Sequence, residues 1–365
     1  MKRIWIQRIG AAVLCAVLLA GCMPVEDGGF GEENVVPYDD AIAAVKALKN
    51  GQIDCVVIDN APGSTTQWGI GSASVVLEAA ARADTAPSLC LVYPSVSAMP
   101  TVGPVTLGQD LFWRLLSGQQ VLPIQRGCDL YTRNFLDYWN LRAVDALETG
   151  RNAFTTGNTD WASPLWCTNG QSVAKVLSSL SLSSALSEDP AESADSTQKG
   201  DTPAVPTVPA LLPQQTDGHL PDADVADAVQ AAVQFPSGST TRFAYDTDTG
   251  TYGMLHHDGS PQLDANTGIQ AAFDNLLVLY SASTPRDDGR TLDYDLTMGG
   301  GLWLNGGHLW HITWTQGTGS TFAFYDADGR PLRILSGRSY IAWLSSLTGE
   351  EVTVQDSAGN DLLQP

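Results

Sequence analysis

The chain has 365 residues, 43% of them apolar, and carries 19 Lys and Arg against 40 Asp and Glu, a formal charge of −21 at pH 7. That excludes a mini-protein and wholesale disorder, and leaves room for one large or two ordinary domains. It also argues against DNA or RNA as partners, because tracking a phosphate backbone requires clustered cations.

Lys2, Arg3 and Arg8 precede an apolar run from Ile9 to Leu19, which closes on Ala20-Gly21-Cys22. The run is shorter than the roughly 20 residues needed to span a bilayer core. The pattern resembles a bacterial lipoprotein signal peptide, in which the small residue before Cys admits the peptidase and the thiol then carries diacylglycerol. This implies a signal over 1–21, a mature chain beginning at a lipidated Cys22, and an extracytoplasmic protein tied to the membrane of the cell envelope. Loss of residues 1–21 removes three cations and no carboxylate, leaving −24. So acidic a body repels anionic headgroups, and the acyl chains must hold it.

Of the six cysteines, Cys15 leaves with the signal, and Cys55, Cys90, Cys128 and Cys167 remain beyond Cys22. In an exported chain they allow three disulfide pairings or buried free thiols. None lies at a metal-ligand spacing, all five histidines fall downstream, and no metal site is expected.

In chain order, residues 22–36 form a Gly- and acid-rich tether. Asp39-Asp40 open a helical pattern that Lys49-Asn50-Gly51 closes. Ile53–Ile58 reads as a buried strand ending in the turn Asp59-Asn60-Ala61-Pro62-Gly63. Leu89–Tyr93 and Val121–Gln125 are further strands, and 110–116, 130–142 and 171–180 are helices, which makes residues 37–186 an α/β lobe with a mixed sheet. Residues 187–227 hold nine carboxylates against Lys199 and are rich in Pro. They read as a solvated linker, with a helix predicted over 223–233 on one apolar face. From Thr240 the hydrophobic period becomes two. Strand-like runs alternate with Asp258-Gly259, Asp288-Gly289, Asn305-Gly306 and Asp328-Gly329, pairs that tolerate the positive φ of tight hairpins. Residues 228–350 should form a mostly antiparallel β-rich (α+β) lobe, with 351–365 as a tail.

Several blocks then point to one family. Val57-Ile58-Asp59-Asn60, Ser74-Val75-Val76-Leu77-Glu78 and Val102-Gly103-Pro104-Val105 follow the lipoprotein signal. Asp264 with Thr267-Gly268, Asp274-Asn275-Leu276-Leu277-Val278, Gly289-Arg290, Gly299-Gly300-Gly301, Asn305-Gly306, Trp314, Asp326 with Gly329, and Ser339-Tyr340-Ile341 follow in order. In succession they resemble the YerB-like family of bacterial lipoproteins, whose two domains have no assigned activity. The resemblance implies a two-domain α/β envelope protein. It also replaces the helix that propensity favours around Glu78–Arg82 with a hairpin of strands over 75–81 and 88–93, propensity being a weak prior. The arginine clusters typical of that family after the Glu strand and after Gly-Pro-Val are missing here, where Arg82-Ala83-Asp84-Thr85 and Thr106-Leu107-Gly108 stand instead. Planar, bidentate donors for a carboxylate or phosphate are lost with them.

Asp59, Asn60 and Glu78 lie at predicted strand ends, where open α/β sheets place ligands. Asp59 and Glu78 are the candidate catalytic pair if one is desolvated and the other ionised. The simpler reading makes Asp59 the cap of its own turn. A Ser-His-Asp triad within the first lobe is excluded, since that lobe has no histidine. His308 and His311 point to opposite faces of a strand. Asp246–Gly250 and Asp326–Gly329 lack the terminal Glu of a calcium loop, and no nucleotide-binding glycine motif is present, so no cofactor is expected. Trp310 and Trp314 share a strand face and form either a stacking platform for a sugar ring or part of the core. The sequence thus reads as a binding or assembly module with a ligand cleft between its lobes, built on Asp59, Asn60, Glu78, Trp310 and Trp314. Its partner would be a small molecule, a glycan or an envelope protein. The alternative is a hydrolase or transferase using Asp59 and Glu78. A purely architectural assembly factor would instead show an exposed aromatic patch.

Overall fold

The structure, a computed structural model, describes residues 52–64, 66–156, 165–187, 211–215, 220–316 and 321–363. The expected signal, tether and first helix, and most of the expected linker, lie outside them.

Among the described residues the first half gives the main sheet five strands: β1 (Gln52–Asp59), β2 (Val75–Ala79), β3 (Ser88–Tyr93), β4 (Gln120–Gln125) and β5 (Val144–Asp145). The second half supplies β6 (Val225–Ala226), β7 (Gln230–Gln234), β8 (Thr240–Asp246), β9 (Thr251–Leu255), β10 (Ala272–Phe273), β11 (Asn275–Ser281), β12 (Met298–Asn305), β13 (His308–Gln316), β14 (Phe322–Tyr325), β15 (Pro331–Leu332), β16 (Ser339–Ser345) and β17 (Glu351–Gln355). Helices are α1 (Asp110–Leu115), α2 (Leu130–Tyr138), α3 (Ala146–Thr149) and α4 (Gly170–Ser187).

The strands of both halves join in one sheet of order β15-β14-β13-β12-β11-β16-β2-β3-β1-β4-β5, with β6 added on β13. The join is β2 with β16, parallel and in register from Val75 opposite Ser339 to Ala79 opposite Trp343. Pairing is mixed on the N-terminal side, where β1 runs antiparallel to β3 and parallel to β4. From β11 through β12, β13 and β14 it is antiparallel throughout. A second sheet, β10-β9-β8-β7-β17, is antiparallel throughout.

Alternation along each strand divides the core by face. Val56 and Ile58 of β1 face a cluster with Phe243, Tyr252 and Phe273 of the second sheet and Val173 and Ala174 of α4. Cys55 and Val57 face the other way, toward Leu111, Phe112 and Trp113 of α1 and the tryptophans of β12, β13 and β16. The continuous sheet is therefore a middle layer, buried on both sides, and its strands accordingly read as unbroken apolar runs.

The β2–β3 hairpin takes the place of the helix that propensity favours over Glu78–Arg82, with Val75 opposite Val92. Three expectations fail. Residues 223–233 form no helix: β6 ends at Asp227, whose φ is +66°, and β7 is hydrogen-bonded on one side to β8 and on the other to β17. An alanine-rich stretch is helical by propensity only until two neighbouring strands satisfy its amides. Within the expected linker, Leu211 and Leu212 are buried among the core tryptophans and Gln214–Gln215 pair with 334–335. The expected tail contributes β17. At the β12–β13 hairpin Asn305 pairs with His308, so the turn is Gly306-Gly307, with φ of +58° and +78°. Both turn residues need the left-handed region, which glycine enters at no steric cost.

Candidate functional site

Glu78 stands on β2 at the join, opposite Ala342 of β16, and no part of it reaches solvent. Its Oε1 accepts from Asn60 Nδ2 at 2.6 Å and from Thr241 Oγ1 at 2.9 Å. Its Oε2 accepts from the Tyr340 hydroxyl. No cation belongs to this cluster. Burial pushes the Glu78 carboxyl up to about 7, and the three donors only partly oppose it. Burial and the adjacent carboxyl drive the Tyr340 phenol well above its ordinary value. The hydroxyls of Thr241 and Tyr340 can each accept as well as donate, so the cluster accommodates either state of Glu78.

Gln67 extends the network: its Nε2 donates to Asn60 Oδ1 at 3.0 Å and to the Asp59 carbonyl at 2.8 Å. Among the described residues its buried Oε1 has no partner, nor has Nε2 of the buried Gln262. Asn60, Thr241 and Gln262 line a recess of about 20 Å³ that opens between Ala61-Pro62 and the β8–β9 end of the second sheet. That volume holds about one ordered water or the tip of a polar group. His256 and His257 stand at its rim, and burial lowers the His256 imidazole below its ordinary value. Thr240 and Leu255 line both this recess and a groove of about 390 Å³ on the outer face of the second sheet. The sheet register builds the groove. Ala232 of β7 and Ala244 of β8 lie in its floor, while Gln230, Gln234, Arg242, Glu351, Thr353 and Gln355 stand around them.

The sequence-predicted residues are brought together only in part. Asn60 and Glu78 meet, as their strand-end positions suggest. Asp59 does not join them: its Oδ1 accepts from the Ala61 amide at 3.1 Å, the local turn contact of an Asx residue. Trp310 and Trp314 form no platform. Trp310 is 2% exposed and stacks on Trp303 with centroids 4.4 Å apart, its Nε1 donating to the Asp222 carbonyl. Trp314 is fully buried against Trp343 and Phe322 and donates to the Gly300 carbonyl. Leu111, Phe112 and Trp113 of α1, with Leu211 and Leu212, share their core cluster, so the shared strand face points into the core. The expected open cleft between lobes is closed by the β2–β16 pairing, and the recess lies on that seam. His308 and His311 go separate ways, His308 Nδ1 to the Gly306 carbonyl and His311 Nδ1 to Asp224. Cys55, Cys90, Cys128 and Cys167 are all free thiols. Thr241, Gln67, Gln262 and Tyr340 were missed as site residues. Tyr340 alone left a signal, as part of a family-like block.

Two half-chains on one α+β sheet, with a polar node where they meet, define a two-domain architecture. The chain matches the N-terminal domain of DUF3048, a protein family of unknown function, over residues 42–183. It matches the DUF3048 C-terminal domain over residues 231–341. The chain belongs to this family. It is similar to a Bacillus subtilis (strain 168) protein described as "Putative lipoprotein YerB", 25% identical over 303 residues that make up 82% of each chain. The crystal structure of YerB from Bacillus subtilis shares the fold, with a TM-score of 0.65 at 19% identity over 84% of this chain and 96% of that one.

Proposed function

We propose that this is a lipid-anchored envelope protein, held by a thioether on Cys22, that binds a neutral, hydroxyl- or amide-bearing ligand such as a glycan. The ligand lies in the groove over Ala232 and Ala244 and inserts one polar group into the recess beside Gln262. The buried, unpartnered Gln262 amide carries this reading, because a desolvated donor facing a recess is matched when an acceptor arrives. The groove holds one cation, Arg242, and one carboxylate, Glu351, and is otherwise lined by amides, threonines and apolar residues, a set suited to hydroxyls more than to a charged ligand. Acid–base chemistry at Glu78 is less well supported, since Asn60, Thr241 and Tyr340 already donate to its oxygens and Asp59 serves its own turn.

Titration calorimetry with the N-acetylglucosamine trimer tests the site. Saturable binding is expected, weakened at least tenfold by Ala232→Trp, which fills the groove. Absence of binding by the wild type, or equal binding by the variant, refutes it. Radioactive palmitate incorporation that is the same in wild type and Cys22→Ala refutes the anchor.

A further inference from the structure

Among the described residues nine large apolar side chains remain exposed, and five of them, Leu107, Leu130, Tyr138, Trp139 and Leu147, belong to α2 and its surroundings. A Cβ placed on Gly127 would meet Leu147 Cδ1 at 2.7 Å and Leu107 Cδ2 at 3.6 Å, so these leucines flank one glycine. Arg133 of α2 lies 4.0 Å from Glu148 beside Leu147, and Tyr138 stands about 12 Å along the helix from Leu130 at its rise per residue. The far end is fixed. Asn140 takes φ +49°, the Leu141 amide bonds back to the Leu136 carbonyl at 2.8 Å, and the helix closes as a Schellman-type turn. Tyr138 and Trp139 project from this turn, edge to face at 5.3 Å, 81% and 59% exposed.

The charge of this segment differs from that of the rest. Between 126 and 151 four arginines balance four carboxylates, so the whole excess of negative charge lies elsewhere. We infer that this face lies against the lipid bilayer, with Tyr138 and Trp139 in the headgroup layer. Three features select the bilayer as occupant. Trp and Tyr beside Arg is the side-chain set of a membrane–water interface. A neutral patch on an acidic body is a face that anionic lipid does not repel. The anchoring at Cys22 proposed above puts the bilayer within reach, and the inference rests on that reading for reach alone.

The test removes the anchor. Both hydrophobic clusters are built from residues 53–363, so the mature chain 22–365 with Cys22→Ser keeps the whole core and carries no lipid. It is sedimented with vesicles of phosphatidylcholine containing one quarter phosphatidylglycerol. A measurable bound fraction is expected, reduced at least tenfold by the pair Tyr138→Ser and Trp139→Ser and unchanged by Leu347→Ser, an exposed leucine elsewhere. No sedimentation of the unsubstituted chain, or equal sedimentation of the paired variant, overturns the inference. So does gel filtration showing a dimer that the pair converts to monomer, because a second copy would then cover the face. None of these outcomes depends on lipidation, which palmitate labelling reads separately.

Discussion

The two domains meet at two polar nodes that solve the same problem in opposite ways. At one, the second domain clasps the loop 69–73 of the first: Asp264 accepts from the Gly69 and Gly71 amides at 3.1 and 2.7 Å. Arg338 donates to the Ile70 and Ala73 carbonyls at 2.6 and 3.0 Å, donates also to the Ala272 carbonyl, and lies over the Phe273 ring. Donors and acceptors match, and acid and base are both present. At the other, Glu78 has no cation, shares its oxygens among three donors, and borders a recess where the Gln262 donor has no acceptor. A seam needs only the first kind of node to hold. The second retains unfilled hydrogen-bonding capacity in the interior, which natural structures seldom keep without a use.

The largest effect should come from breaking the clasp. Arg338→Ala strands three backbone carbonyls and removes the cation that acts on buried Asp264 and half-buried Asp274. Loss of one partner of a buried charged network costs about 3–5 kcal/mol. Urea unfolding should show the whole chain destabilised by that amount. A loss below 1 kcal/mol would mean that the clasp is incidental to the seam.

Glu78 sharpens the contrast through pH. Its folded-state value of about 7 lies above the ordinary 4.5, so the folded protein holds this proton more tightly than the unfolded chain. Its contribution is complete below about pH 4.5, declines as pH rises toward 7 and is gone above it, on the order of 3 kcal/mol in all. Stability measured from pH 4.5 to 8 in wild type and in Glu78→Gln isolates the group, since the other carboxylates are common to both. The difference should fall across that window and level off near neutrality, and a constant difference would place the proton elsewhere. On the clasp side Asp264→Ala should cost about 2 kcal/mol by freeing the Gly69 and Gly71 amides.

How much of this was legible in the sequence follows the same division. Asn60 and Glu78 are 18 residues apart at the ends of adjacent runs, and a reading of strand ends brings them together. Thr241 and Tyr340 lie 163 and 262 positions from Glu78 and reach it only because β16 pairs with β2 and the second sheet packs over that join. No local pattern encodes that pairing. Strand β2 itself was recoverable from the family-like block, against its helical propensity. Trp310 and Trp314 were correctly placed on one face, but which face is buried is decided by layers contributed from elsewhere in the chain. Helix 223–233 failed because alanines carry no β-branched signal, and only the hydrogen bonds from β8 and β17 make that segment a strand.

The smallest stability effect distinguishes the nodes most directly. Gln262 Nε2 is desolvated in the folded protein and solvated in the unfolded chain, so it opposes folding as it stands. Gln262→Met keeps the volume and removes the unmatched donor, and it should leave stability unchanged or raise it by up to about 1 kcal/mol. The same change should weaken binding of the N-acetylglucosamine trimer, because the donor that meets the ligand is gone. Stability and binding then move in opposite directions at one residue, the pattern expected where a protein keeps a costly group for recognition. If Gln262→Met instead destabilises the fold by more than 1 kcal/mol, the amide has a structural partner, and the second node becomes another clasp like the first.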